Sequence, residues 1–189
     1  MMARRRVTFV CATVASVLLC GGASASVSPT ITFSPSQITI GSYRIWSRAP
    51  LPTYGRAIRA FGTASSCVLR RGQTNDATVK WVRKGITAEF TTLGVPPNGG
   101  DACSEPAAYQ LDHLIVSSRS WRTAEGLRVG DPSSRIAALY PHALPHGSTW
   151  WIIVRKNVIG SSSLYPLVSA TVRSGKIASL VFLIRAEGD

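Results

Sequence analysis

Negative charge is scarce in this chain. Nine acidic residues face 21 basic ones across 189 positions, a formal net charge of +12. Glycosidase-type chemistry needs two carboxylates held at a fixed separation. Glu89 and Asp112 fall in strand-like stretches and could pair across a sheet. Pairing of surface carboxylates with arginines is commonplace, so both are read as solvent-facing partners of basic residues. Histidine is scarcer still, with only His113, His142 and His146. "YPHALPHG" spaces the last two by four, which on a helix would set both on one face for a metal, with His113 or Asp112 as a distant third ligand. Pro141, Pro145 and Gly147 argue against a helix there. The two are therefore read as exposed loop histidines, and no metal is expected.

Catalytic motifs are missing too. No Gly-x-Ser-x-Gly elbow occurs, and no Ser-x-x-Lys pair follows residue 25. Neither Gly-x-Gly-x-x-Gly nor Gly-Lys-Ser/Thr is present, so no cofactor is expected. The sequence thus predicts a protein without catalytic residues. The rival reading is a small secreted hydrolase built from dispersed groups such as Glu89, Asp112 and His113.

The N-terminus carries a clear address. "MMARRRVTFVCATVASVLLCGGASAS" has a basic start at Arg4, Arg5 and Arg6, an apolar stretch from Val7 to Leu19, and small residues ending in Ala23-Ser24-Ala25. That is the order of a signal peptide cleaved after Ala25. Its apolar part rises only about 20 Å as a helix, short for an uncleaved membrane anchor. Cys20 in "VLLCGG" offers an alternative, a lipoprotein anchored at that residue, although Leu19 is not the small residue such a signal favours before its cysteine. Membrane association is expected only if Cys20 is lipidated.

Cleavage after Ala25 would remove three arginines and no acids, lowering the charge to +9. It would also leave two cysteines, Cys67 and Cys103. An even count in an exported chain reads as a disulfide, and no base is placed to make either thiol reactive. The remaining positive charge is mostly arginine and scattered, with no run longer than two basic residues. It suits a solvated surface, with attraction to an extracellular protein or an anionic envelope component as the functional alternative. Nucleic acid is not expected as a partner of an exported protein.

Residues 26–37, "SVSPTITFSPSQ", read as an extended leader. From 38 to 118 a first module follows: a short helix in "PLPTYGRAIRAFG", then strand-like runs with a turn at Lys84-Gly85. From 119 to 189 the order recurs. "DPSSRIAALYP" reads as a short helix with Asp131 as its N-cap and Pro132 at its first position. "TWWIIVRKN" and two β-branched runs flanking Ser174-Gly175 then read as strands. The predicted fold class is α+β: two degenerate repeats of a short helix and an antiparallel meander of about three strands, helices on one face of the sheet.

"GLRVGDPSSRIAALYP" and its meander resemble repeated modules of small exported proteins of high-GC Gram-positive bacteria. They are similar to those of the β-lactamase inhibitory proteins and the small outer-membrane-assembly lipoproteins. The resemblance covers residues 121 to 186, whereas "RIWSRAPLPTYGRA" departs from the pattern in the first copy. It implies a non-catalytic scaffold whose sheet face binds another protein or stays structural, and carries over no inhibitory residue.

A binding surface has one visible candidate. Adjacent Trp150 and Trp151 must face opposite sides of a strand. One can fill the core while the other, beside Arg155 and Lys156, suits an interface. The expected function is an exported, non-catalytic binding or structural module of the cell envelope or medium, in a narrower form an inhibitor of an extracellular enzyme.

Overall fold

Short apolar runs punctuated by glycine and proline become twelve strands and two helices in the computed structural model, which describes residues 29–34, 36–46, 52–70, 76–92, 99–156 and 164–184. In chain order these are β1 (Thr30–Ser34), β2 (Gln37–Ile40), β3 (Tyr43–Trp46), α1 (Tyr54–Phe61), β4 (Ser66–Leu69), β5 (Asp76–Trp81), β6 (Ile86–Thr91) and β7 (Gln110–Val116). Then come β8 (Arg122–Thr123), α2 (Ser134–Leu139), β9 (Leu144–His146), β10 (Thr149–Lys156), β11 (Leu164–Arg173) and β12 (Lys176–Leu183). The structure is mostly β and fits α+β in the broad sense.

Eight strands form one antiparallel sheet in the order β4-β5-β6-β7-β12-β11-β10-β9, and β3-β2-β1-β8 form a smaller mixed sheet. The large sheet is two-faced because its strands alternate. Val79, Ala88, Leu114, Phe182 and Val168 lie side by side across five strands, all buried. The small sheet supplies Ile31, Ile38, Ile40, Tyr43 and Ile45 to the same hydrophobic core. Helix α1 joins it through Tyr54, Ala57 and Phe61. The Tyr54 ring lies 5.0 Å from Phe90, and Phe61 lies 5.3 Å from Trp81 and 6.2 Å from Trp121. Ile136 of α2 is fully buried in the same core.

Local chemistry sets the boundaries. Thr53 caps α1 by accepting the Arg56 N–H at 3.4 Å, and Gly62, at φ +82°, closes it with an N–H to the Ile58 carbonyl at 2.8 Å. Ser174 and Gly175 both take positive φ, +50° and +73°, as a two-residue turn matching strand twist requires. Cys67 and Cys103 form the disulfide, with Cα atoms 5.8 Å apart. Such a bond fits an extracytoplasmic location.

Four expectations need correction. The stretch read as a leader contains β1, whose Ile31 is completely buried and whose neighbours in the sheet are β2 and β8. Alternating apolar residues in "TITF" pair with "QITI" despite the prolines around them. Part of the loop read around the two histidines, Leu144–His146, is strand β9, so four strands follow α2 instead of three; His142 stays in a turn, and both histidines are exposed as expected. Pro145 is tolerated because β9 is an edge strand.

Asp131 and Pro132 do not cap α2, whose N-cap is Ser133 with no side-chain bond. The Asp131 carboxylate instead accepts the Arg128 N–H and the Arg135 guanidinium, each at 3.0 Å. Pro132 makes a bridge with Lys176, while the Gly130 N–H and Asp131 carbonyl pair with Ile177 at 2.7 and 2.9 Å. Backbone pairing with the β11–β12 hairpin thus holds residues 130–132 outside the helix. The residues of the expected signal peptide, Cys20 and Ala25 among them, lie outside the described residues. Among the described residues no helix is long and apolar enough to cross a membrane.

Candidate functional site

Away from the irregular register of β10 and β11, where Ile152 and Leu167 are buried, residues on the outer face of the large sheet are half-buried or exposed, apart from the small Ser169. One cross-strand row there runs Lys80, Thr87, Ile115, Val181, Ser169, Trp151 and Leu144, each residue directly opposite the next on the neighbouring strand. An ordinary solvent-facing row would be polar. This one is apolar at four of its seven positions and places an aromatic ring among them. Trp151 stacks on His146 with centroids 4.5 Å apart and planes 14° from parallel. Trp150, one residue earlier, packs against the core. Arg155 and Lys156 stand on β10 opposite Tyr165 and Leu164, and their side chains lie outside the described residues.

Beside that row the sheet gathers Glu89, Asp112 and His113. Glu89 is opposite His113, and the register shifts between Glu89 and Phe90, so that Asp112 is the extra residue of a bulge. A bulge re-aims side chains. His113 Nδ1 lies 3.2 Å from Asp112 Oδ2 and its Nε2 3.7 Å from Glu89 Oε1. One ligand atom from each falls within 4.8 Å of the others, a spacing that one divalent ion would accommodate with open coordination positions. His142 and His146 do not join this group: His142 lines a cleft at the other edge of the sheet, and His146 is under Trp151.

That cleft, about 480 Å³, is lined by Phe33, Tyr140, Leu144, Ile152, Ile153 and Val154, with Glu125 and His142 as polar groups. The Tyr140 hydroxyl donates to Glu125 Oε2 at 2.5 Å and accepts from the Thr123 hydroxyl at 2.7 Å. Burial, reinforced by the Glu125 carboxylate, pushes its pKa well above the usual phenol value, so it stays a neutral donor.

Reading the sequence had singled out Trp150 and Trp151, and missed Ile115, Val181 and Leu144. Alternation within each run was visible, but only the register, including the irregularity at Trp151–Ile153, aligns them into one row. No known protein family, curated protein or solved structure matches the chain.

Proposed function

We propose that the protein is exported and acts without catalysis, as a binding module outside the cytoplasmic membrane that holds a protein partner on the outer face of its large sheet. The observation that carries this reading is the apolar-centred row from Lys80 to Leu144. It crosses seven strands, about 29 Å at the usual strand spacing, the scale of a protein interface more than of a small ligand. Trp151 is the anchor, and Lys80, Glu89 and His113 form a polar rim, the usual arrangement of an interface. Inhibition of an extracellular enzyme is the narrower form of the same activity.

The topology supports an internal duplication. Helix α1 is followed by four antiparallel strands and α2 by four, and the two meanders meet at β7 and β12. Each half supplies part of the row.

The test is a photo-crosslinking side chain placed at Thr87 in the native host. A discrete adduct is expected there and not from a probe at exposed Arg128, and the pair of substitutions W151A and V181D should abolish it. Equal labelling from both positions would refute the assignment of the face. The cluster of Glu89, Asp112 and His113 favours a second reading, a secreted hydrolase. Turnover on an ester, peptide or glycan panel that disappears with H113A would replace the binding function with that one.

A further inference from the structure

Helix α1 carries positive charge where a helix tolerates it least. Arg56 is the third helical residue, inside the first turn at the positive end of the macrodipole, and no acidic residue accompanies it. Arg59 follows three residues later, a spacing at which like charges repel across the helix surface. Arg44 on β3 adds a third charge. All three line one open cleft of about 520 Å³ with Ser42, Tyr43 and Ala60.

No carboxylate is among the residues lining that cleft, and among the described residues none of the three arginines is in an ion pair. Tyr43 is not a hidden counter-charge. Its hydroxyl donates to the Thr53 carbonyl at 3.2 Å, and burial raises its pKa far more than Arg56 lowers it, so it remains neutral. With few acids in the chain many arginines go unpaired. What distinguishes these is their convergence on a concavity from two elements, with Arg56 at the helix end where positive charge is unfavourable.

We propose that the cleft of Arg44, Arg56 and Arg59 binds a phosphate group, carried by a small phosphorylated molecule or by a phospholipid headgroup. A carboxylate has two oxygens, which one guanidinium fork satisfies. Three forks call for a tetrahedral anion with more acceptor oxygens and up to two charges. The cleft is formed by the layer that covers the inner side of the large sheet, so this site is separate from the face assigned to a protein partner.

Calorimetric titration of the folded chain with inorganic phosphate at constant ionic strength tests the site. Saturable one-to-one binding is expected, weakened about tenfold or more by R44Q or R59Q, as loss of a charge-assisted bond should do. R56K should retain more affinity than R56Q, and R173Q, at an exposed arginine elsewhere, should change nothing. Phosphate should raise the melting temperature of the parent chain and leave that of the triple glutamine variant unmoved. Co-sedimentation with phosphatidic acid vesicles, competed by free phosphate and lost with R44Q, would identify the headgroup as a source. Binding of phosphate without vesicle binding would point to a soluble ligand. Absence of binding to either probe, or equal weakening by R173Q and R44Q, would overturn the proposal, the latter by reducing it to diffuse charge attraction.

Discussion

The indole N–H of Trp121 donates to the backbone carbonyl of Lys84 at 2.8 Å. One bond thereby ties the segment between the two halves of the chain to the β5–β6 hairpin. Trp121 is almost fully buried, and its ring meets Phe61 edge-on. Replacing it with phenylalanine keeps most of the apolar volume but leaves the carbonyl unpartnered. W121F should cost about 1 to 3 kcal/mol, the range for stranding a buried polar group. Urea unfolding checks this, and an unchanged midpoint would mean that water takes over the bond.

The two adjacent tryptophans should behave differently. Trp150 faces the core opposite buried Ala170, so W150A should cost about 2 to 3 kcal/mol, somewhat below the cost of a fully buried tryptophan. Trp151 covers only the outer face and His146. W151A should cost under about 1 kcal/mol, like other surface changes, while removing the anchor of the proposed interface. Paired thermal melts and crosslinking yields separate the two roles.

Removing the disulfide should be expensive. Cys67 and Cys103 are 36 residues apart, and closing such a loop restricts the unfolded chain by about 3 to 4 kcal/mol in the chain-entropy account. The C67S/C103S variant should therefore unfold at clearly lower urea concentration than the oxidised parent, and reduction of the parent should reproduce the shift. No difference on reduction would mean that the loop is already held by its other contacts.

Asp101 gives the fold a measurable acid sensitivity. Its carboxylate accepts the N–H groups of Ser104 and Cys103, each at 2.9 Å, and these bonds hold its pKa below the usual 3.8. A depressed folded pKa contributes stability that is complete above the unfolded value and lost as pH falls through the folded one. The stability difference between the parent and D101N should be constant at neutral pH and shrink once pH drops below about 4. A difference that persists at pH 2 would assign the effect to hydrogen-bond geometry instead of charge.

Features encoded within a few residues were legible in the sequence. The β11–β12 turn was visible because Ser174-Gly175 separates two β-branched runs, and the pairing of Cys67 with Cys103 followed from their number. Features that depend on distant register were not. Glu89, Asp112 and His113 could be named as dispersed groups, but their meeting depends on the bulge between β6 and β7. The arginine cleft hid for a similar reason: Arg44 is on a strand and Arg56 on a helix, so no charge cluster shows in the chain. Asp131 misled because its capping chemistry is real but directed backwards, to Arg128.

The strand order has a consequence for the life of the chain. β12, the last strand among the described residues, is not an edge: it sits in the middle, joined to β7 on one side and β11 on the other. As the polypeptide emerges from its N-terminal end, the first four-stranded meander is left with β7 as an open margin. Its partner comes only after α2 and the first three strands of the second meander have been made. The unfinished molecule therefore presents an unpaired strand edge, a template for pairing with other chains. Nonsense mutations that remove residues from Lys176 onward should split the large sheet down its centre. They should be far more damaging than deletion of an edge strand such as β9.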